Sequence, residues 1–100
     1  MCTMIATYVS IAGSGKASNG WFPLGQAYVS YDHPFDAALE HSLNIDFVNP
    51  ALGTGARVAV ELDVASARAL VAKILSVLDQ AEAGGYLGDD VTTARSPGSE

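Results

Sequence analysis

The chain has 100 residues, a formal net charge of −6, 49% hydrophobic residues and one cysteine. A chain of this length forms one small domain. The acidic balance argues against nucleic acid and anionic membranes as partners, because binding them depends on clustered cations. We expect no transmembrane helix and no signal peptide, since no apolar run approaches about 18 residues and no basic segment precedes one. The single cysteine excludes an internal disulfide and favours a cytoplasmic protein.

The hydrophobic content is high for so small a domain, and the mean hydropathy is +0.23. A domain of this size needs less apolar sequence than that to fill its own core. The surplus is commonly buried between subunits. The composition therefore predicts a homo-oligomer, most simply a homodimer.

Four segments have the β-branched and aromatic content of strands, namely residues 3–12, 26–33, 41–49 and 56–62. The first two are separated by GSGKASNGWFPLG, residues 13–25, whose four glycines and one proline predict an irregular loop. Residues 34–40 are predicted to form a turn that includes one helical turn. Residues 50–55 form a second connection rich in glycine and proline.

A helical period begins at Asp63, which is a favourable N-cap residue. Apolar residues then recur at helical spacing and define one stripe: Ala67, Leu70, Val71, Ile74, Leu78 and Ala81. Gly84 and Gly85 are expected to end the helix. The composition from residue 86 onward is typical of a flexible tail.

The sequence therefore predicts an α+β fold in the order β-β-β-β-α, with one domain over residues 1–85 and a disordered tail over 86–100. Its four-stranded sheet is mostly antiparallel, and the long C-terminal helix crosses one face. Strand alternation assigns an apolar face to Ile5, Val9, Ile11, Ala27, Val29, Tyr31, Leu43, Ile45, Phe47, Val58, Val60 and Leu62. The opposite, polar face holds Met4, Ala6, Tyr8, Ser10, Tyr28, Ser30, Asp32, Ser42, Asn44, Asp46, Arg57, Ala59 and Glu61.

The polar face gathers carboxylates at Asp32, Asp46 and Glu61 beside Arg57 and Asn44. Neighbouring carboxylates repel, so one of them could stay protonated near neutral pH and serve in acid–base catalysis. Arg57 could hold an anionic group of a substrate, with Asn44 beside it. The structural alternative is a cross-strand salt bridge on a solvated face.

His33 and His41 flank the turn between the second and third strands, each next to an acidic residue. One interpretation makes either histidine a general base oriented by its neighbour. A second makes both of them ligands of a divalent metal, together with Cys2 or an acidic residue. The spacing matches no established metal motif, and a purely structural role in the turn stays open.

Cys2 has two interpretations. It could become an N-terminal nucleophile once the initiator methionine is removed. It could equally be an inert thiol on the first strand.

The glycine-rich segment 13–25 carries four candidate substrate-binding residues, Lys16, Asn19, Trp21 and Phe22. The string GSGK does not have the spacing of a phosphate-binding loop, and the chain has no nucleotide or flavin signature. A loop with two large aromatic residues could close over a ligand and exclude water. Alternatively, the aromatic residues anchor the loop to the core or to a partner subunit.

The strings IAGSGK, NGWFP, SYDHP, EHSLNIDFVNP and ARVAVEL, in this order, resemble a family of short actinobacterial proteins of unknown function. The resemblance covers roughly residues 2–80. It implies a cytoplasmic bacterial setting, and small proteins of this kind often act in specialised metabolism. It implies no residue roles.

The leading hypothesis is a small homodimeric enzyme that acts on a soluble small molecule by acid–base chemistry, as an isomerase, cyclase or hydrolase would. Asp46 or His41 would be the acid or base, and His33, Asp32 and Glu61 are further candidates. A non-catalytic ligand-binding or assembly module is the alternative. A small metal-binding protein that uses the two histidines is a second alternative.

Overall fold

A computed structural model describes residues 4–87, and the chain separates into two compact units after Val64. The first unit is a four-stranded antiparallel sheet with strand order β1-β2-β3-β4. Its strands are β1 (Ile5–Ala17), β2 (Gly20–Asp32), β3 (Ser42–Val48) and β4 (Arg57–Leu62). Helix α1 (Val64–Ala83) begins at the boundary and continues into the second unit. The predicted α+β class and element order are confirmed.

Two further expectations stay untested. The packing of the helix against one face of the sheet stays a prediction. The tail predicted for residues 86–100 lies almost entirely outside the described residues, as does Cys2.

The strand register confirms the predicted division of the sheet into an apolar and a polar face. Directly opposed residues of an antiparallel pair lie on the same face. One such row across the sheet consists of Thr7, Val29, Ile45 and Val60. The next row, on the opposite face, consists of Tyr8, Tyr28, Asp46 and Ala59. The alternation read from the sequence therefore assigns the paired side chains correctly, whereas Ile11 falls within a register shift between Ser10 and Gly13 and its face stays a prediction.

The prediction of an irregular loop over residues 13–25 is wrong. These residues extend β1 and β2 into a long hairpin, in which Gly15 pairs with Phe22 and Ala17 pairs with Gly20. The turn is only Ser18 and Asn19, and Gly20 follows with a φ of +125°, which suits glycine alone. A register shift between Ser10 and Gly13 adds one residue to β1, which is a β-bulge. The glycines therefore serve a bulged hairpin and do not interrupt pairing.

The connection between β3 and β4 is tied to this hairpin by one side chain. The Asn49 Nδ2 amide donates to the Pro23 carbonyl at 2.9 Å, and the Asn49 Oδ1 accepts from the Ala51 N–H at 3.1 Å. The second bond caps a short 3₁₀ turn, Pro50–Leu52. Asn49 thus joins the first part of β2 to the connection that precedes β4.

The sheet is strongly curled. β1 and β4 approach each other to within 8 Å between Cα atoms, although β2 and β3 lie between them. Three strand spacings in a flat sheet would separate them by roughly 14 Å. Curling of this kind gives the sheet a concave side, which can enclose a ligand or a loop.

Helix α1 starts directly after Asp63 and ends at Ala83, close to the predicted bounds. The N–H groups of Gly84 and Gly85 bond to the carbonyls of Gln80 and Glu82, both at 3.0 Å, and Gly85 has a φ of +83°. A glycine in this conformation after the last turn is the usual end of a helix. Within residues 4–87, no helix is long and apolar enough to cross a membrane.

The hairpin turn gives the first testable prediction. Gly20→Ala should lower the free energy of unfolding by about 1–2 kcal/mol, because an L-residue is strained at positive φ. Gly55→Ala is the matched control, since Gly55 has no positive φ and open space around its Cα. Urea denaturation of both variants measures the difference. Equal stability of the two would contradict the hairpin geometry at residues 17–20.

Candidate functional site

An open groove of about 950 Å³ lies on the polar face of the sheet, and we call it the polar groove. Its floor is formed by side chains of β2, β3 and β4: Tyr28, Ser30, Asn44, Asp46, Arg57 and Ala59. Ala6 of β1 also lines the groove, so all four strands contribute to it. Because all four strands of a curled sheet contribute, the polar face is the concave side.

One rim of the polar groove is the connection between β2 and β3. Residues 33–41, which we call the rim segment, contain bends and no helix, so the predicted helical turn is absent there. His33, Pro34, Phe35, Asp36 and Ala37 all line the groove. The Phe35 side chain is 97% exposed. Packing of its own side chain therefore does not hold this part of the rim in place.

The rim segment is held instead by Glu61, which reaches it from β4. The Glu61 Oε2 accepts a hydrogen bond from the Phe35 N–H at 2.6 Å. The Glu61 Oε1 accepts from the N–H groups of Asp36 at 3.1 Å and Ala37 at 2.9 Å. Three successive backbone donors thus converge on one carboxylate, an arrangement that proteins also use to bind free anions. The contact joins β4 to the chain between β2 and β3 and shapes the groove.

These bonds lower the pKa of Glu61 below its ordinary value of 4.5. The largest cause is the bond from the Ala37 N–H, followed by that from Phe35; the Asp36 N–H adds to them, and partial desolvation opposes them. Because the folded pKa is the lower one, the contact stabilises the fold above about pH 4.5 and is lost as the pH falls through the folded value. Glu61 is therefore ionised at neutral pH and holds no proton to donate.

Asp46 and Arg57 form a cross-strand salt bridge, which the sequence analysis gave as the structural alternative to a catalytic role. The Arg57 Nε and Nη2 both donate to the Asp46 Oδ1, at 3.1 and 2.9 Å. The two side chains are 36% and 49% exposed, so the pair contributes at most about 1 kcal/mol. Both residues line the groove, so this pair offers a charged but neutralised patch on its floor.

The two histidines lie side by side. Their ring centroids are 4.8 Å apart, and the His41 ring also stacks on Tyr31 at 5.7 Å. The His33 Nδ1 is 3.1 Å from the Glu40 carbonyl oxygen. A carbonyl can only accept, so Nδ1 carries the proton and Nε2 of the neutral ring is the acceptor. His33 lines the polar groove, and His41 is not among its lining residues.

Asp32 is also at the rim, where its Oδ1 accepts from the His33 backbone N–H at 2.7 Å. Across residues 4–87, no three histidine, cysteine or acidic side chains converge as metal ligands would. The two histidines meet, yet the described residues supply no third ligand. Cys2, the other metal candidate, lies outside the described range.

The four candidates of the glycine-rich segment lie on the hairpin and not on a mobile loop. Lys16 pairs with Trp21 across the two strands, and Trp21 is 68% exposed. Phe22 is buried, and Asn19 occupies the turn. None of the four is among the residues lining the polar groove. A substrate-binding role for them stays a prediction.

Sequence reasoning placed Tyr28, Ser30 and Ala59 on the correct face without including them in the site. Their parity with Asn44 and Asp46 was the signal that could have included them. The backbone donors of residues 35–37 give no comparable signal, because every residue except proline has a backbone N–H and the sequence does not single any of them out. The contact with Glu61 depends on the path of the rim segment, which composition does not specify.

The Glu61 contact gives a second prediction. Glu61→Ala should raise the hydrogen-exchange rates of the amides of residues 35–37 to those of an open loop, since all three acceptors are lost. Glu61→Gln should raise them less, because one carbonyl oxygen remains. Glu40→Gln, in the rim segment itself, removes a charge without touching these bonds and should leave the rates unchanged. Unchanged exchange in Glu61→Ala would show that the carboxylate does not hold the rim.

Comparison with known proteins gives a family and no function. No match was found among curated proteins or among solved structures. The model of one family matches residues 1–87, which is most of the chain. The resemblance read from the sequence strings is thus confirmed at the level of an uncharacterised family. The chain belongs to a family of unknown function, DUF6295.

Proposed function

We propose that this protein is a small-molecule binding module whose ligand occupies the polar groove. The observation that carries the proposal is the groove itself. A concavity of about 950 Å³ falls within the range of small-molecule sites, which commonly measure about 300–1,000 Å³. Its rim is fixed by three hydrogen bonds to one carboxylate.

The groups on the floor suit hydrogen bonding to a polar ligand. The Ser42 hydroxyl donates to the Asn44 Oδ1, so the Asn44 amide is oriented with its N–H groups free of that bond. The Tyr28 ring is 44% exposed and packs on Tyr8 at 5.5 Å between centroids. Together these side chains offer amide donors and an aromatic surface within one concavity.

The charges of the groove favour a neutral or cationic ligand over an anionic one. The lining carboxylates are Asp32, Asp36, Asp46 and Glu61. Among residues 4–87, Arg57 is the one lysine or arginine that lines the groove, and it already bonds to Asp46. An anion would meet a surplus of negative charge, in keeping with the net charge of −6 for the whole chain.

The Asp46 and Glu61 carboxylates already have hydrogen-bond partners. This favours ligand binding by the groove over acid–base catalysis by either residue. A general acid or base has to exchange a proton with its substrate. Glu61 is ionised and bonded to the rim, and Asp46 is paired with Arg57. Both act better as fixed structure and fixed charge than as proton carriers.

A thermal-shift screen of polar metabolites tests this proposal. A ligand present at ten times its Kd stabilises the fold by about 1.4 kcal/mol, which for a domain of this size raises the Tm by about 6–11 °C. Ala59→Trp fills the floor of the groove and should abolish the shift. Ala51→Trp, at an exposed position in the connection before β4, should keep it.

The outcome that contradicts the proposal is equally direct. A compound that stabilises wild type and Ala59→Trp alike binds elsewhere, and the groove is then not the site. A loss of the shift in both tryptophan variants would point to general destabilisation, which the unliganded Tm values of the two variants would reveal.

An acid–base enzyme is the second candidate, and the geometry of His33 is the observation that favours it. Its Nδ1 is committed to the Glu40 carbonyl, which orients the ring and leaves Nε2 to accept a proton. His33 also lies on the groove wall. It is better placed for this role than His41, the sequence-based choice, which is absent from the lining.

A compound found by the screen can be followed for conversion by mass spectrometry. His33→Gln should bind it and stop its conversion, whereas His41→Gln should still convert it. Conversion by His33→Gln at the wild-type rate would exclude His33 as the base. Binding without conversion by the wild type would leave the protein a binding module.

A further inference from the structure

The edge strand β1 lacks the features that protect sheet edges from pairing. β1 has 13 residues, about twice the usual strand length. Residues 4–15 include no charged side chain and no proline, in a chain with 11 acidic and five basic residues. Natural sheets usually protect an edge of this kind with lysine, proline or short length.

The other edge strand, β4, has such protection. It has only six residues and carries Arg57 at its start and Glu61 near its end. Glu61 also draws the rim segment toward this edge through its three hydrogen bonds. The two edges of one sheet thus differ in length and charge, and β1 is the one that lacks such protection.

The side chains of β1 are exposed on both faces. Every residue from Met4 to Ser10 is exposed. Ile5, Tyr8 and Val9 expose 64%, 57% and 53% of their surface. Among residues 4–87, the only buried apolar side chains are Phe22, Ala27 and Ala56. So little burial is unusual for a stable domain and leaves apolar surface for a partner.

We propose that β1 pairs antiparallel with β1 of a second copy, which joins two sheets into one of eight strands. A second copy suits this edge because the segment is uncharged. Two acidic chains repel each other, and the repulsion is least where neither contributes a charge. This proposal concerns the outer edge of the sheet and is independent of a ligand in the polar groove.

The symmetry of such a pairing also favours a second copy of the chain as the partner. A twofold axis perpendicular to the sheet makes the contact isologous and keeps the same face of both copies on the same side. With the axis at Thr7, Ile5 of one copy lies opposite Val9 of the other. The apolar faces become continuous, and the polar faces do too. The bulge after Ser10 limits regular pairing to the segment Ile5–Ser10.

Sedimentation velocity over a range of protein concentrations tests the proposal. The wild type should show a concentration-dependent dimer, and Val9→Lys should weaken it at least tenfold, because it places a charged side chain opposite the apolar Ile5 of the other copy. Val77→Lys is the matched control, since Val77 is 56% exposed on α1 and carries the same change. It should leave the dimer intact.

Cysteine cross-linking keeps the test decisive if Val9→Lys fails to fold. In a Cys2→Ser background, cysteine is introduced singly at Ala6, Thr7 and Tyr8, and at Thr54 as a control. Opposed residues of an antiparallel pair have Cα atoms about 4.5–5.5 Å apart, within disulfide range. At least one of the three β1 positions should oxidise to a covalent dimer, and Thr54 should not.

Three outcomes overturn the proposal. The wild type could remain a monomer at every concentration. It could form a dimer that Val77→Lys weakens and Val9→Lys does not. It could also form a dimer that none of the three β1 cysteines cross-links.

Discussion

The carboxylate of Glu61, bonded to three successive backbone N–H groups of the rim segment, is the contact on which the candidate site depends. It joins β4 to a segment that lies between β2 and β3 in the chain. Two further hydrogen bonds, from the His33 ring to the Glu40 carbonyl and from the Leu39 N–H to the Ala37 carbonyl, lie within the segment itself, and Phe35 is almost fully exposed. Without Glu61, the polar face would be an open concave sheet with no fixed rim. A charged side chain here performs the structural role that apolar packing performs in larger domains.

This role changes how the charged residues of the polar face are understood. In sequence they are a cluster of carboxylates that could share a proton. In the structure, each has an assignment: Glu61 binds the rim, Asp46 binds Arg57, and Asp32 bonds to the His33 N–H. Each of these three carboxylates therefore has its own hydrogen-bond partner. The groove is therefore better described as a fixed polar surface, which agrees with the proposed binding role.

The sequence predicted the parts of the fold that follow from periodicity. The alternation in β3, with Leu43, Ile45 and Phe47 against Asn44 and Asp46, placed both faces correctly, and the change of period at Asp63 located α1. Residues 13–25 were misread because glycine and proline usually interrupt strands, and here they serve a bulge and a tight turn. The Glu61 contact was not predictable, since its partners are backbone groups about 25 residues away whose position depends on the fold.

The measurement that tests this account most directly is an NMR titration of the amide protons of Phe35, Asp36 and Ala37 between about pH 2 and 7. All three should shift together with one midpoint below 4.5, the ordinary pKa of glutamate, because they report the same ionised carboxylate. The common transition should vanish in Glu61→Gln. Three independent midpoints, or a shared midpoint at or above 4.5, would show that Glu61 does not hold the rim of the groove.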